Sequence, residues 1–458
     1  MRAGWLGGGL AAVITSAVML GGSGAGLAAT GSAARADSAG AAPGSVLWTS
    51  ARAGSGNTIA ADPQGGMVFA AGSGFLDAYD SGTGAELWDN SAGGGQFVAV
   101  SPDGQDVFVT KAVHATGGAD YSTAAFDAAT GRQLWVSRYN GRADGTDRPV
   151  ALAVSPGGGT VYVTGFSRGR TTGLDYATLA YAAATGRQLW VSRFNGHGRG
   201  GDYPAAIAVS PGGGTVFVTG TSLGSNAGDG FATVAYAAAS GTPRWTRRFY
   251  QPDGRNAASS MAVSRDGRTV FVTGDSRITG SGTGFATVAY TASTGATLWV
   301  RRYHRAGDRS DSPGVVLASP LGGGTVVVAG EGAGSGRAFL GVAYGAATGR
   351  TRWVSRFVDD GMFQEYLGGA VLSPDARSLY LAGLGYVVPG GEEPSQDLTV
   401  AVRVATGAQI WSQVVTTGLP DEAGGPVAVS PDGGAVYIGV QDFTATEPHD
   451  FTTVALRA

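Results

Sequence analysis

Cysteine is absent from all 458 residues. That omission excludes a disulfide framework, a thiolate metal site, a cysteine nucleophile, thioether-linked haem and a lipid anchor on an N-terminal cysteine. Charge is sparse at 14% of residues, and Lys111 is the one lysine, so positive charge rests on arginine. A net charge of −3 supplies no basic field for nucleic acid. The histidines are His114, His197, His304 and His449, and no two stand at a local ligand spacing. The chain has no G-x-S-x-G, no H-E-x-x-H, no D-x-D-x-D-G calcium loop and no phosphate-binding glycine loop ahead of a helix. Neither catalytic residues nor metal ligands are assigned, and no cofactor is expected.

Long apolar runs are also missing, except near the start. Arg2 precedes an apolar stretch from Leu10 to Leu20, and Ala34-Arg35-Ala36 reads as a small-residue cleavage site. These features describe a signal peptide over residues 1–36, followed by a short linker at 37–44. The apolar stretch is shorter than the ~20 residues a span requires. The expectation is an exported, extracellular monomer with no membrane span in its mature part.

Glycine, by contrast, is plentiful, at 80 residues, which suits many short strands joined by tight turns. Tryptophan gives the period. After Trp5 come Trp48, Trp88, Trp135, Trp190, Trp245, Trp299, Trp353 and Trp411, roughly fifty residues apart, a spacing typical of a repeat architecture. Each period has four strand-like runs, A to D. The clearest copy has Ala151–Val154, Val161–Gly165, Tyr176–Tyr181 and Leu189–Phe194. Runs A and C are apolar on both faces, as in a sheet covered on both sides. Eight A-B-C units follow one another, but the last ends at Phe451–Ala458 without its tryptophan strand, while Ser45–Thr49 is a tryptophan strand with no unit of its own. Pairing the two closes a ring and removes the open edges. The expected fold is all-β: one eight-bladed propeller over 45–458, with four antiparallel strands per blade and an N-terminal strand completing the last blade.

The turn between C and D carries a motif. Ala78-Tyr-Asp80-Ser-Gly-Thr83-Gly84-Ala-Glu-Leu-Trp88 and Ala125-Phe-Asp127-Ala-Ala-Thr130-Gly131-Arg-Gln-Leu-Trp135 both read A-x-D-x-x-T-G-x-x-x-W, and the later copies keep Ala, Gly and Trp but lose Asp. This resembles the tryptophan-docking motif of the pyrroloquinoline-quinone-like propellers, and the likeness runs along essentially the whole mature chain. The resemblance implies eight blades with tryptophans wedged between them. In the family's enzymes it implies a quinone in the central channel, capped by adjacent half-cystines and held through calcium. Without cysteine that cap cannot form here, and no Glu/Asn/Asp set maps onto the calcium site, so architecture carries over and cofactor does not.

Function on such a scaffold is expected on the face bearing the long B–C loops and D-to-A crossovers. Acidic and aromatic residues recur there at the start of run C: Asp120-Tyr121, Asp175-Tyr176, Asp229, Asp397 and Asp450. They read as candidate ligand-binding residues, an acidic ring at the channel mouth, or alternatively as turn-forming aspartates that start the strand. Arginine follows tryptophan by three at Arg138, Arg193, Arg248, Arg302 and Arg356, which reads as charge protecting an outer strand edge. The expected activity is non-catalytic binding or scaffolding of a protein or polysaccharide outside the cell. The alternative is a propeller lyase or oxidoreductase with its site at the channel mouth.

Overall fold

The computed structural model describes residues 41–458 except 197–199, 225–227, 251–254, 279–281, 306–309, 321–323, 334–336, 358–363, 387–394, 416–421 and 443–449. The segment read as a signal peptide and the histidines at 197 and 449 lie outside the described residues. Thirty-two strands form eight four-stranded antiparallel sheets, each in consecutive order but one. Blade 1 comprises Gly56–Ala61, Met67–Gly72, Phe75–Asp80 and Glu86–Asn90. Blades 2 to 7 begin with Phe97–Val100, Asp147–Val154, Asp202–Val209, Asn256–Val263, Asp311–Ser319 and Gln364–Leu372. Blade 8 holds Glu422–Val429, Ala435–Asp442 and Asp450–Arg457, and its outermost strand is the N-terminal Val46–Ala53. Trp48 pairs with Ala455 and Arg52 with Phe451, so the two chain ends zip together as the repeat count requires. The first strands of successive blades touch in an unbroken cycle; strand A is innermost, and the chain is an eight-bladed β-propeller.

The core is not one cluster but eight wedges, each shared by two neighbouring blades. Tryptophan fills the outer part of each wedge. Trp135 Nε1 donates to Ala183 O of the next blade at 2.6 Å, Trp190 to Ala238 O at 2.9 Å and Trp245 to Ala292 O at 2.8 Å. An indole burying ~200 Å² is worth at most about 5 kcal/mol by area, and its N–H is satisfied as well. Each ring lies on the glycine of the next blade's C–D turn. Gly241, at φ +69°, sits under Trp190, and a Cβ there would stand 2.5 Å from the ring. Glycine is required twice over, by conformation and by contact. In the two full copies of the motif the aspartate caps this turn: Asp127 Oδ1 accepts from Thr130 N at 2.9 Å and Thr130 Oγ1 at 2.7 Å.

The eighth such glycine comes from the segment read as a linker. Gly44, at φ +84°, lies against the Trp411 ring, and its N–H donates to Arg457 O at 2.8 Å. The packed body therefore includes Gly44.

Candidate binding face

Antiparallel order puts the A–B and C–D turns on one face and the B–C loops and D-to-A crossovers on the other. On the second face, the aspartates named from sequence fall on or beside strand C, third from the axis, so they form no ring around the channel mouth. Asp120, Asp175 and Asp397 lie inside their strands and are nearly or fully buried. Asp175 Oδ2 is 2.9 Å from Arg193 Nη2 and accepts from Thr172 Oγ1 at 2.9 Å. Burial raises the Asp120 carboxyl, with Asp147 and Asp144 adding to the rise and Arg138 opposing it. Asp229 and Asp450 are half-buried, and each uses its backbone carbonyl, Asp229 for Asn256 and Asp450 for Gln441. Tyr121 and Tyr176 are fully buried between blades; Tyr176 OH donates to Ala232 O of the next blade at 3.3 Å. Neither ring reaches a surface.

Four of the five arginines three after tryptophan also differ from expectation. Arg193 turns back across its own blade to Ser167 Oγ at 2.6 Å and Ser167 O at 2.8 Å. Arg248 bonds Ser222, and Arg302 reaches Arg277 O at 2.5 Å. Arg193, Arg248, Arg302 and Arg356 tie strand D to the far end of strand B, whereas Arg138 stays exposed on the outer strand.

A set of acids missed from sequence completes this polar row. Asp147, Asp202, Asp311 and Glu365 are fully or almost fully buried at the start of strand A. Asp147 Oδ2 accepts from Gly141 N at 2.6 Å, Asp202 from Gly196 N at 2.7 Å and Asp311 from Arg305 N at 3.1 Å, each six residues upstream in the crossover. Asp147, Asp202 and Asp311 each tie a crossover amide to the blade, whereas Glu365 Oε2 accepts from Phe339 N on strand C of the preceding blade at 3.2 Å. The signal was present: each stands twelve residues after a tryptophan (Trp135, Trp190, Trp299, Trp353), an offset hidden by the variable loop between. Burial raises the Asp202 carboxyl, against opposing bonds from Ser222 and Gly196. Blade 5 uses a neutral Asn256, which accepts from Ser276 at 2.8 Å.

Two histidines can be placed. His114 is exposed on blade 2, while His304 is nearly buried in the crossover from blade 5 to blade 6, with Nδ1 3.3 Å from Asp311 Oδ2. Three blades separate them, so they do not converge. Among the described residues no three His, Asp or Glu side chains gather in a way that could hold a metal. Asp147, Asp202 and Asp311 are taken up by crossover amides and Glu365 by the Phe339 amide of the preceding blade, so they do not fit a calcium–quinone site on the axis.

Aromatic and charged side chains gather on this face in two places, one at blades 3 and 4 and the other at blades 6 and 7. The residue after each inner acid is Arg148, Tyr203, Ser312 or Tyr366. Tyr203 is 39% exposed and packs edge-on against Phe166 of the preceding blade, centroids 5.8 Å apart. Tyr366 packs edge-on against Tyr386 and lies under the Arg337 guanidinium at 4.8 Å; that group also pairs with Glu331 at 2.7 Å.

Fold and face together define a propeller of repeated four-stranded blades with a rim of mixed aromatic and charged groups. The family described as outer membrane protein assembly factor BamB, of the PQQ-like repeat type, matches residues 33–179 and 177–359. The chain belongs to this family. Its fold is shared by BamB from Moraxella catarrhalis, at 16% identity and TM-score 0.53, covering 90% of this chain and 99% of that one. Quinohemoprotein alcohol dehydrogenase from Comamonas testosteroni is similar at 14% identity and TM-score 0.58, over 90% of this chain and 76% of that one. The C-terminal WD40 domain of Sif2 has 10% identity and TM-score 0.58, over 91% and 99%. No curated protein matches the sequence.

Proposed function

We propose that this chain is an exported, non-catalytic propeller that binds or scaffolds an extracellular protein or polysaccharide through its long-loop face. The observation that carries the reading is the two aromatic and charged groups on this face, Tyr203 against Phe166 and Tyr366 under Arg337. Half-exposed aromatic faces beside guanidinium groups suit an extended polymer, whose segments stack on rings and hydrogen-bond at the edges. The inner carboxylates an enzyme would draw on are engaged by backbone amides of the crossovers or of a neighbouring blade. The family's description names an assembly factor, which agrees with a scaffold, whereas the quinohemoprotein neighbour carries the dehydrogenase alternative.

Co-sedimentation of the purified protein with insoluble peptidoglycan and cellulose, alongside crosslinking to co-secreted proteins, tests the reading. Tyr203→Ala and Tyr366→Ala are expected to weaken retention several-fold while leaving the melting temperature nearly unchanged. Dye-linked oxidation of alcohols on adding pyrroloquinoline quinone and calcium would establish the enzyme instead. Export is tested by N-terminal sequencing of protein from culture supernatant, with a mature end near Asp37 expected.

A further inference from the structure

Six blade interfaces use one neutral pairing. On one side is an aliphatic residue in strand C; on the other is the residue four after the previous blade's tryptophan. Leu179 shares a wedge with Tyr139, Val234 with Phe194, Val288 with Phe249, Val342 with Tyr303, Val400 with Phe357 and Val454 with Val415. At the seam between blades 8 and 1, both positions change together. Strand C of blade 1 places Asp77 there, and the N-terminal strand places Arg52 opposite, Nε 3.5 Å from Asp77 Oδ2. Arg52 Nη1 also lies 3.3 Å from Asp89 Oδ2 on the neighbouring strand. The Asp77 side chain is fully buried, and its Oδ1 has no hydrogen-bond partner.

We infer that Arg52 and Asp77 form a charge latch that selects the N-terminal strand as the outer strand of blade 8 and makes this seam a pH-dependent joint of the ring. Eight near-identical wedges leave the choice of partner strand degenerate. An arginine set against an aliphatic in any other wedge, or Asp77 set against an aromatic, would bury an unpaired charge, which is strongly disfavoured. The reciprocal change removes those alternatives at the one interface that joins the two chain ends.

The charged and titratable groups facing Asp77 are Arg52 from blade 8, and Tyr79, Glu86 and Asp89 from blade 1. Burial pushes its carboxyl up to about 6, against the opposing pull of Arg52. A carboxyl raised above its unfolded value holds a proton in the folded state that the unfolded chain has released. Its contribution is therefore complete below about pH 4 and is lost as pH rises through about 6. Arg52 matters most once Asp77 is ionised.

Thermal midpoints of the full chain between pH 4.5 and 8.5 test the latch, using Arg52→Phe, Asp77→Leu and the double variant that installs the neutral pairing. Arg52→Phe is expected to lower the midpoint by several degrees at pH 8.5 and by much less at pH 4.5. In Asp77→Leu the pH dependence between 4.5 and 7 flattens, and the double variant regains most of the loss seen in Arg52→Phe. Amide protection in Val46–Ala53 should drop in Arg52→Phe at pH 8.5, while that in Gln188–Phe194 stays as in the parent. An Arg52→Phe penalty equal at both pH values, a penalty undiminished in the Asp77→Leu background, or protection lost equally in both strands would each overturn the inference.

Discussion

The interface between blades 3 and 4 and the seam between blades 8 and 1 share a plan but differ in chemistry. In the first, Trp190 lies on Gly241, Phe194 and Val234 fill the inner wedge, and strands B and C of each blade are joined by buried threonine pairs, Thr164–Thr178 at 3.0 Å and Thr219–Thr233 at 2.9 Å. In the second, Trp48 lies on Gly84, but the inner wedge holds Arg52 and Asp77, and Gly56 N donates to Gln441 Oε1 at 2.5 Å. Where one blade leads directly into the next, the crossover itself chooses the partner and neutral packing is enough at this position. Where the ends of the chain must find each other, loop closure is longest, and the contact carries its own specificity.

The largest expected effect comes from removing a wedge on each side of this comparison. Trp190→Ala and Trp48→Ala should each cost about 3–5 kcal/mol in urea unfolding. Trp48→Ala should in addition lower the denaturant slope, because a terminal strand can fray before the ring unfolds; equal slopes would show that the seam is as cooperative as an internal interface. Gly241→Ala, with its clash under Trp190 and its left-handed backbone, should lose about 2 kcal/mol or more. Alanine at Gly44, where a Cβ would stand 3.0 Å from Trp411, should lose less. Asp202→Ala should cost about 1–3 kcal/mol by freeing the crossover amide it binds, seen as faster exchange at Gly196. Leu298→Ser, on the exposed rim, should change stability by under about 0.5 kcal/mol.

Much of this was legible in the chain. Tryptophan spacing, the four runs per period and the unmatched strand at each end lead to eight blades and to the way the ring closes. The site was less legible. Asp175 was visible as a recurrent acid, but its engagement by Arg193 depends on the width of a blade, which no local pattern encodes. The inner acids escaped notice because a crossover of variable composition separates them from the strand pattern. Tyr121 and Tyr176 read as surface aromatics, although the neighbouring blade covers them.

The sequence by itself determined the repeat, the strand order and the glycine of the C–D turns, since these follow from backbone conformation and period within fifty residues. Only the tertiary structure decided which side chains meet across the ring. It put Asp77 against Arg52, set Gly44 under Trp411 and turned Arg193 back across its own blade to Ser167. Those contacts join residues from different blades, from separate strands of one blade or from opposite ends of the chain, and their partners are set by radial order and sheet packing rather than by any spacing along the sequence.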